Sequence, residues 1–133
     1  MARASAPTRV VERCWTLVGR RQGRVWYARR VRPLSGERTS VRFDGPWVLR
    51  REERRRDVLG FYHTHPDGPA CPSRRDVRTM RAWCSAFGKP LLCVIDSPEG
   101  VRAYCFDGDE SDGEELAVVE VFPRDVIIGV EQR

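Results

Sequence analysis

The chain has 133 residues, a mass of 15.3 kDa and a formal net charge of +5, a size that suits one domain with a hydrophobic core and excludes two. It contains no run of 18 apolar residues and no apolar segment near the N-terminus, so we expect a cytoplasmic protein without a membrane span or secretory signal. Nearly all the positive charge is arginine, in runs with interspersed acids such as RREERRRD at Arg50–Asp57. Such runs favour solvated faces over a nucleic-acid-binding surface, although a basic protein can also select an acidic partner.

The first half of the chain predicts a β-hairpin followed by a helix. Val10–Val18 and Val25–Val31 are rich in apolar and β-branched residues, and Gly23 interrupts them. Ser40–Phe43 has room for one short strand. Pro46–Arg56 combines an early proline with good helix formers, which indicates a helix.

The second half of the chain alternates strand and helix signals. VLGFYHTH, at residues 58–65, predicts a strand, and from Ser73 an apolar stripe at helical spacing predicts a helix that ends before Pro90. The stripe consists of Val77, Met80, Cys84 and Phe87. Three further strands follow, at LLCVID, VRAYCF and ELAVVEVF, and DVIIGV predicts a last strand or a tail. Helices inserted among several strands predict an α/β layered domain.

The cysteines are odd in number, scattered and without a CxxC pair, so we expect reduced thiols and no disulfide framework or zinc ribbon. They are Cys14, Cys71, Cys84, Cys93 and Cys105. Cys71 lies in the loop that follows the two histidines, where a cysteine could act as a metal ligand or as a nucleophile. No second cysteine shares that loop, so we expect Cys71 to be neither.

The stretch GFYHTHPDGPACPSRRD, at Gly60–Asp76, contains both histidines of the chain. Residues i and i+2 of a strand point to the same face, so His63 and His65 should project side by side and could hold one ion. Asp76 follows in the first turn of the predicted helix. Two imidazoles and a carboxylate leave the fourth position of a tetrahedral zinc open for water, and a glutamate would then have to act as general base.

A simpler explanation of the same residues needs no metal. Ser73 and Asp76 have the spacing of a capping box, in which the serine caps the helix and the aspartate reaches back to the serine. The pattern alone leaves both explanations open.

Gly60–Asp76 resembles the JAMM motif of the JAB/MPN metallopeptidases. The stretch contains H-x-H-P followed by S-x-x-D, with ten residues between His65 and Asp76, and Gly60 also fits the family pattern. The family's N-terminal motif, often E-x-x-x-x-L-x-G, is similar to ERCWTLVG, which begins at Glu12. The chain thus resembles the bacterial stand-alone members of this family.

The resemblance implies an α/β fold: a single JAB/MPN-like layered domain over residues 1–133, with a mixed, mostly antiparallel curved sheet flanked by helices. Residues 1–9 are expected to be flexible. Relatives usually carry a helix before the position of Glu12, for which this sequence has little room. Trp15 stands where relatives commonly have a small residue, and Arg32–Asp57 is the one stretch able to accommodate an insertion.

The resemblance also implies the site residues and their roles. The implied zinc ligands are His63, His65 and Asp76. Glu12 takes a proton from the zinc-bound water and delivers it to the leaving amine, while Ser73 hydrogen-bonds the tetrahedral oxyanion. Glu37 is the competing base, but it lies in PLSGERTS, a turn-like stretch whose flexibility suits a base poorly.

Members of this type hydrolyse isopeptide or peptide bonds that follow the C-terminus of ubiquitin or a ubiquitin-like protein. The resemblance therefore implies a deubiquitinase-like zinc isopeptidase with a ubiquitin-like protein or its conjugate as partner. E1-like and E2-like proteins of the same system are further expected partners. Bacterial conjugation, sulfur-carrier metabolism and antiphage defence are the settings in which such peptidases occur.

Two alternatives belong to other functional classes. HTHPDGPACPSRRD also resembles the H-N-H-P-S-G stretch of the RadC-like branch, once linked to DNA repair, and the high pI would suit DNA. Threonine in place of the asparagine disfavours that branch. A non-catalytic MPN scaffold is the other alternative, but such scaffolds lose ligand residues that this sequence retains.

Overall fold

The computed structural model describes residues 11–37, 44–121 and 127–131. Within these residues, seven strands and two helices follow one another along the chain. They are β1 (Val11–Gln22), β2 (Val25–Glu37), α1 (Gly45–Arg55), β3 (Val58–Thr64), α2 (Arg74–Phe87), β4 (Leu91–Ser97), β5 (Gly100–Phe106), β6 (Glu114–Val121) and β7 (Ile127–Glu131). The predicted strand at Ser40–Phe43 and the predicted flexible segment 1–9 lie outside the described residues. No described helix is long and apolar enough to cross a membrane.

The strands form a mixed, mostly antiparallel sheet, as predicted. Described neighbours pair in the order β1-β2-β7-β6-β5-β4-β3, and β1 also pairs with β3, so the sheet curls until its ends meet. β3 and β4 are parallel, and α2 supplies the crossover that a parallel connection requires. The other pairings are antiparallel.

The two faces of the sheet bury separate apolar clusters. On the inner face, side chains of the strands pack against one another, among them Leu17, Tyr62 and Leu92. The opposite face of β3, β4 and β5 packs against Val48 of α1 and Met80 of α2. The predicted apolar stripe of α2 thus points toward the sheet, and the predicted α/β layering is confirmed.

The helix ends follow the residue types that the sequence offers. The Asp44 carboxylate accepts a hydrogen bond from Trp47 N at 3.2 Å and caps α1. Arg56 ends α1 in the left-handed region, at φ 52°. Ser73 caps α2, and Gly88 ends it at φ 65°, where glycine carries no steric penalty.

The first hairpin is longer than predicted. β1 continues to Gln22 and β2 to Glu37, because ladder pairing runs from Gln22 opposite Val25 to Val11 opposite Glu37. The prediction ended the two strands at Val18 and Val31, where the apolar and β-branched residues stop. Backbone pairing does not require apolar side chains, so the sequence did not predict the polar ends of the two strands.

The arginine run on α1 is partly neutralised within the protein. Arg51 Nε and Nη2 donate to the two carboxylate oxygens of Asp57 at 2.8 and 2.7 Å, and Lys89 Nζ donates to Glu52 Oε1 at 2.9 Å. Arg50 and the remaining arginines of the run are exposed. This arrangement agrees with a solvated helix face.

Gly60 allows the backbones of β3 and β4 to lie close together. Its φ is 148°, and a Cβ atom there would overlap the Leu92 carbonyl oxygen and lie 2.6 Å from Leu92 N. The β1–β3 register shifts beside it, between Leu17 and Val18. The irregularity resets the alternation of β3, so that Phe61 faces the helices, as does His63 two residues later.

Gly60→Ala should lower the free energy of unfolding by about 2–4 kcal/mol, because the new methyl group collides with backbone atoms that cannot rotate away. The midpoint of urea denaturation measures the change. Gly108→Ala is the matched control, since a Cβ at Gly108 meets no atom within 4 Å. Equal midpoints for the two variants would contradict this explanation.

Candidate metal and catalytic site

His63 and His65 lie at the end of β3 and point to the same side of the sheet. Their Nε2 atoms are 3.0 Å apart. His63 is 6% exposed, and His65 lies where the chain leaves the strand, with its amide bonded to Asp96 O at 2.8 Å. The spacing of the pair follows directly from the two-residue period of a strand.

Asp76 reaches the pair from the first turn of α2. Its Oδ1 lies 3.3 Å from His63 Nε2 and its Oδ2 lies 3.3 Å from His65 Nε2. Among the described residues, these three form the group of His, Cys, Asp or Glu side chains whose ligand atoms all lie within 4.8 Å of one another. Ligands about 2.0–2.1 Å from a tetrahedral zinc are about 3.3 Å from one another, so the donor types and their separations fit zinc.

The capping box and the ligand cluster use the same carboxylate. Ser73 Oγ accepts from Asp76 N at 3.1 Å, and Asp76 Oδ2 accepts from Ser73 N at 2.8 Å. The two explanations of the sequence pattern are therefore compatible. The cap fixes the carboxylate in the orientation that brings both its oxygens to the histidines.

The electrostatics of the cluster keep Asp76 ionised. Burial alone would raise the pKa of its carboxyl, but the hydrogen bonds and charge of His63 and His65, with the Ser73 amide, outweigh burial and lower that pKa far below its usual range. Asp76 in turn raises the pKa of His65. In the protein without metal, mutual attraction already holds the three groups together.

The loop after β3 orients the ring of His65. Its Nδ1 lies 3.0 Å from Pro69 O, a carbonyl that can only accept, so Nδ1 carries a proton and Nε2 is the nitrogen that faces the cluster. His63 Nδ1 is buried and has no hydrogen-bond partner within the described residues. The two histidines thus differ in how firmly their rings are oriented.

Glu12 lies on β1, beside the cluster but outside it. Cys14 is opposite His63 in the β1–β3 register, and Glu12, two residues away, shares that face. Burial raises the pKa of its carboxyl, while the nearby charges of His65 and His63 lower it by a smaller amount. Glu12 is therefore close enough to the two histidines to interact with them electrostatically, without belonging to the ligand cluster.

Glu37 differs from its expected setting. It was expected in a turn-like stretch, but its backbone is part of β2 and lies opposite Val11. β-pairing replaces the turn there because β1 extends far enough to meet it. The side chain of Glu37 is outside the described part of the structure.

None of the five cysteines forms a disulfide bond. Cys71 is exposed and is not a member of the ligand cluster. Burial, with a smaller effect of Glu12, raises the pKa of the Cys14 thiol to about 12, and burial raises the pKa of Cys93 well above its usual value. These two thiols are thus protonated at neutral pH, so neither is an activated nucleophile.

Two contacts at the site were not predicted. Ala70 N donates to Glu99 Oε1 at 3.2 Å, and Tyr104 Oη donates to Ala70 O at 2.7 Å. Both partners come from the β4–β5 hairpin, 29 and 34 residues along the chain. No local motif marks them, and only the fold brings them to the loop.

Trp15 packs on the inner face of the sheet, away from the cluster. Its ring meets Tyr62 edge-on with centroids 5.4 Å apart, and the Arg30 guanidinium lies over both rings at 4.5 and 4.6 Å. Tyr62 Oη donates to Asp96 Oδ2 at 2.8 Å. Cation–π and aromatic contacts accommodate the large side chain at this position.

Comparison with known proteins agrees with the geometry. A family model described as "Prokaryotic homologs of the JAB domain" matches residues 1–107. A protein of Thermus thermophilus, named "Probable TtuB-protein conjugate cleaving protease", is 39% identical over 62 residues. The match covers 47% of this chain and 34% of that protein, so this chain spans about a third of the relative's length.

Ser73→Ala should lower the free energy of unfolding by about 1 kcal/mol, because the amide of Asp76 loses its acceptor at the start of α2. Ser73→Gly should cost only a few tenths of a kcal/mol, since glycine is tolerated at this position. Urea denaturation of the metal-free proteins measures both. A Ser73→Ala variant as stable as the wild type would show that the cap contributes nothing.

Proposed function

Since the chain belongs to the prokaryotic homologs of the JAB domain, we propose that it is a zinc metallopeptidase of the JAMM type. Its reaction is hydrolysis of the bond that follows the C-terminus of a ubiquitin-like protein. The observation that best supports this is the convergence of His63, His65 and Asp76 at the separations of a tetrahedral zinc site.

His63 and His65 would hold zinc through Nε2, and Asp76 through a carboxylate oxygen. Bound zinc would lower the pKa of a water molecule toward neutrality and polarise the carbonyl of the scissile bond. Three protein ligands leave a position for that water. The donor set of two imidazoles and one carboxylate is one that catalytic zinc sites use.

Glu12 acts as the general base and then as the general acid. Its carboxylate accepts a proton from the attacking water and passes it to the amine that leaves. Proton transfer is most efficient when the pKa of the catalytic group lies near the working pH, and burial raises the pKa of Glu12 in that direction. Its place outside the ligand cluster supports a contact with water instead of metal.

Ser73 supplies a hydrogen bond to the oxyanion that forms on the scissile carbonyl. Its oxygen accepts from Asp76 N with one lone pair, so its O–H remains available as a donor toward substrate. Ser73→Gly separates the two roles, because glycine retains most of the helix cap but has no hydroxyl.

The substrate is a ubiquitin-like protein or its conjugate, since the Thermus relative is named for cleaving TtuB–protein conjugates. We place the protein in the cytoplasm as one JAB/MPN-like domain over residues 1–133, a location that suits five cysteines without disulfide bonds. Its system would be a bacterial conjugation, sulfur-carrier or antiphage-defence pathway, with E1-like and E2-like proteins as partners.

The purified, tag-free protein should contain about one zinc per chain by elemental analysis, and His65→Ala should contain none, because two remaining ligands bind zinc too weakly to survive purification. Cys71→Ser is the matched control, since Cys71 is exposed and outside the cluster. It should retain zinc. Absence of zinc from the wild type, even after reconstitution, would overturn the zinc assignment and favour a non-catalytic scaffold.

Glu12→Gln should retain zinc yet lose at least about a hundredfold in kcat, because glutamine preserves the shape of the side chain but cannot take a proton. The rate is measured on a fusion in which a ubiquitin-like protein precedes a cleavable reporter. Near-normal turnover would show that another base acts, and Glu37→Gln would be the next variant. Loss of zinc from Glu12→Gln would instead make Glu12 a ligand.

A further inference from the structure

One peptide group connects the β4–β5 hairpin to the candidate metal site. The peptide that joins Pro69 to Ala70 has two polar atoms, and both are bonded. Its oxygen lies 3.0 Å from His65 Nδ1, and its N–H donates to Glu99 Oε1 at 3.2 Å. Glu99 and His65 are therefore linked through a single amide.

The planarity of the peptide bond makes this link directional. The described backbone contains no cis peptide bond, and in a trans peptide the C=O and N–H point to opposite sides. The Glu99 carboxylate thus approaches the amide from the side away from His65. A negative charge at the N–H end increases the electron density on the carbonyl, which strengthens its hydrogen bond with the imidazole N–H.

The hairpin holds Glu99 in place for this contact. Glu99 N donates to Ser97 Oγ at 3.0 Å, and Ser97 is 9% exposed. Ala70 is 2% exposed, and Tyr104 Oη bonds its carbonyl, which belongs to the next peptide group. The loop is therefore anchored by Tyr104 independently of the bond to Glu99.

We propose that Glu99 is a positioning residue of the metal site, which acts on His65 through the peptide group between Pro69 and Ala70. By polarising that carbonyl, Glu99 strengthens the hydrogen bond that it accepts from Nδ1–H of His65 and makes the Nε2 of His65 a better ligand. The proposal rests on the zinc-binding function given above. Glu99 is itself exposed, so solvent screens its charge. We therefore expect its effect on metal affinity to lie at the low end of the range known for residues that hydrogen-bond to metal ligands.

Two variants distinguish this role from simple anchoring of the loop. Glu99→Gln retains a side-chain oxygen that accepts from Ala70 N but removes the charge. Tyr104→Phe removes the other anchor and leaves the peptide between Pro69 and Ala70 untouched. If anchoring were all that mattered, Tyr104→Phe would be the more harmful change.

The first measurement is zinc affinity, by competition with a chromophoric chelator. Glu99→Gln should weaken binding about tenfold, whereas Tyr104→Phe should stay within about threefold of the wild type. Wild-type affinity in Glu99→Gln would overturn the proposal. So would equal losses in the two variants, because they would identify loop anchoring as the cause.

The second measurement uses metal-free protein, so it does not depend on the proposed function. Ring ¹⁵N chemical shifts of His65, recorded above the pH at which the ring is protonated, report which nitrogen carries the proton. Relative to the wild type, Glu99→Gln should show less Nδ1–H and more Nε2–H, because Asp76 Oδ2, 3.3 Å from Nε2, competes with Pro69 O for the proton. If the wild type binds no zinc, the metallopeptidase assignment fails and this spectrum alone decides the role of Glu99. Identical wild-type and Glu99→Gln shifts would then overturn it.

Discussion

The carboxylate of Asp76 is the contact on which the candidate site depends. It accepts a hydrogen bond from the Ser73 amide at the start of α2 and faces both histidines at the end of β3. The exposed N–H groups of a helix N-terminus favour an anion, so the helix stabilises the ionised form that the histidines also require. A single group thereby joins the helix to the strand and determines how the three candidate ligands approach one another.

The sheet separates the chemistry from most of the packing. Along β3, His63 shares the helix-covered face with Phe61, whereas Tyr62 turns inward to the aromatic and arginine contacts with Trp15 and Arg30. The irregularity at Gly60 sets this division, since a shift of one residue would exchange the faces. His63 is buried beneath the helices, while His65 lies at the rim of the sheet and is partly exposed.

The sequence predicted those features that depend on local spacing. The HTHP stretch, the Ser73 cap and the apolar stripe of α2 each lie within one or two elements, and their period or capping chemistry identifies them. The meeting of β1 with β3 and the contact of Glu99 with Ala70 join distant segments, and no short pattern encodes them. The polar ends of the first hairpin were missed because backbone pairing, not apolar patterning, holds them. Glu37 was misplaced for the same reason.

The double use of Asp76 affects how related sequences should be compared. Helix capping is by itself a sufficient reason to retain an aspartate three residues after a serine. The aspartate can therefore persist in related proteins that have lost the metal. Neither histidine caps a helix, so helix capping gives no reason to retain them. Across divergent relatives, replacement of His63 or His65 is therefore the more informative sign that the candidate metal site has been lost, and retention of Asp76 alone is weak support for such a site. Pseudoenzymes of this fold should retain the aspartate longer than the histidines.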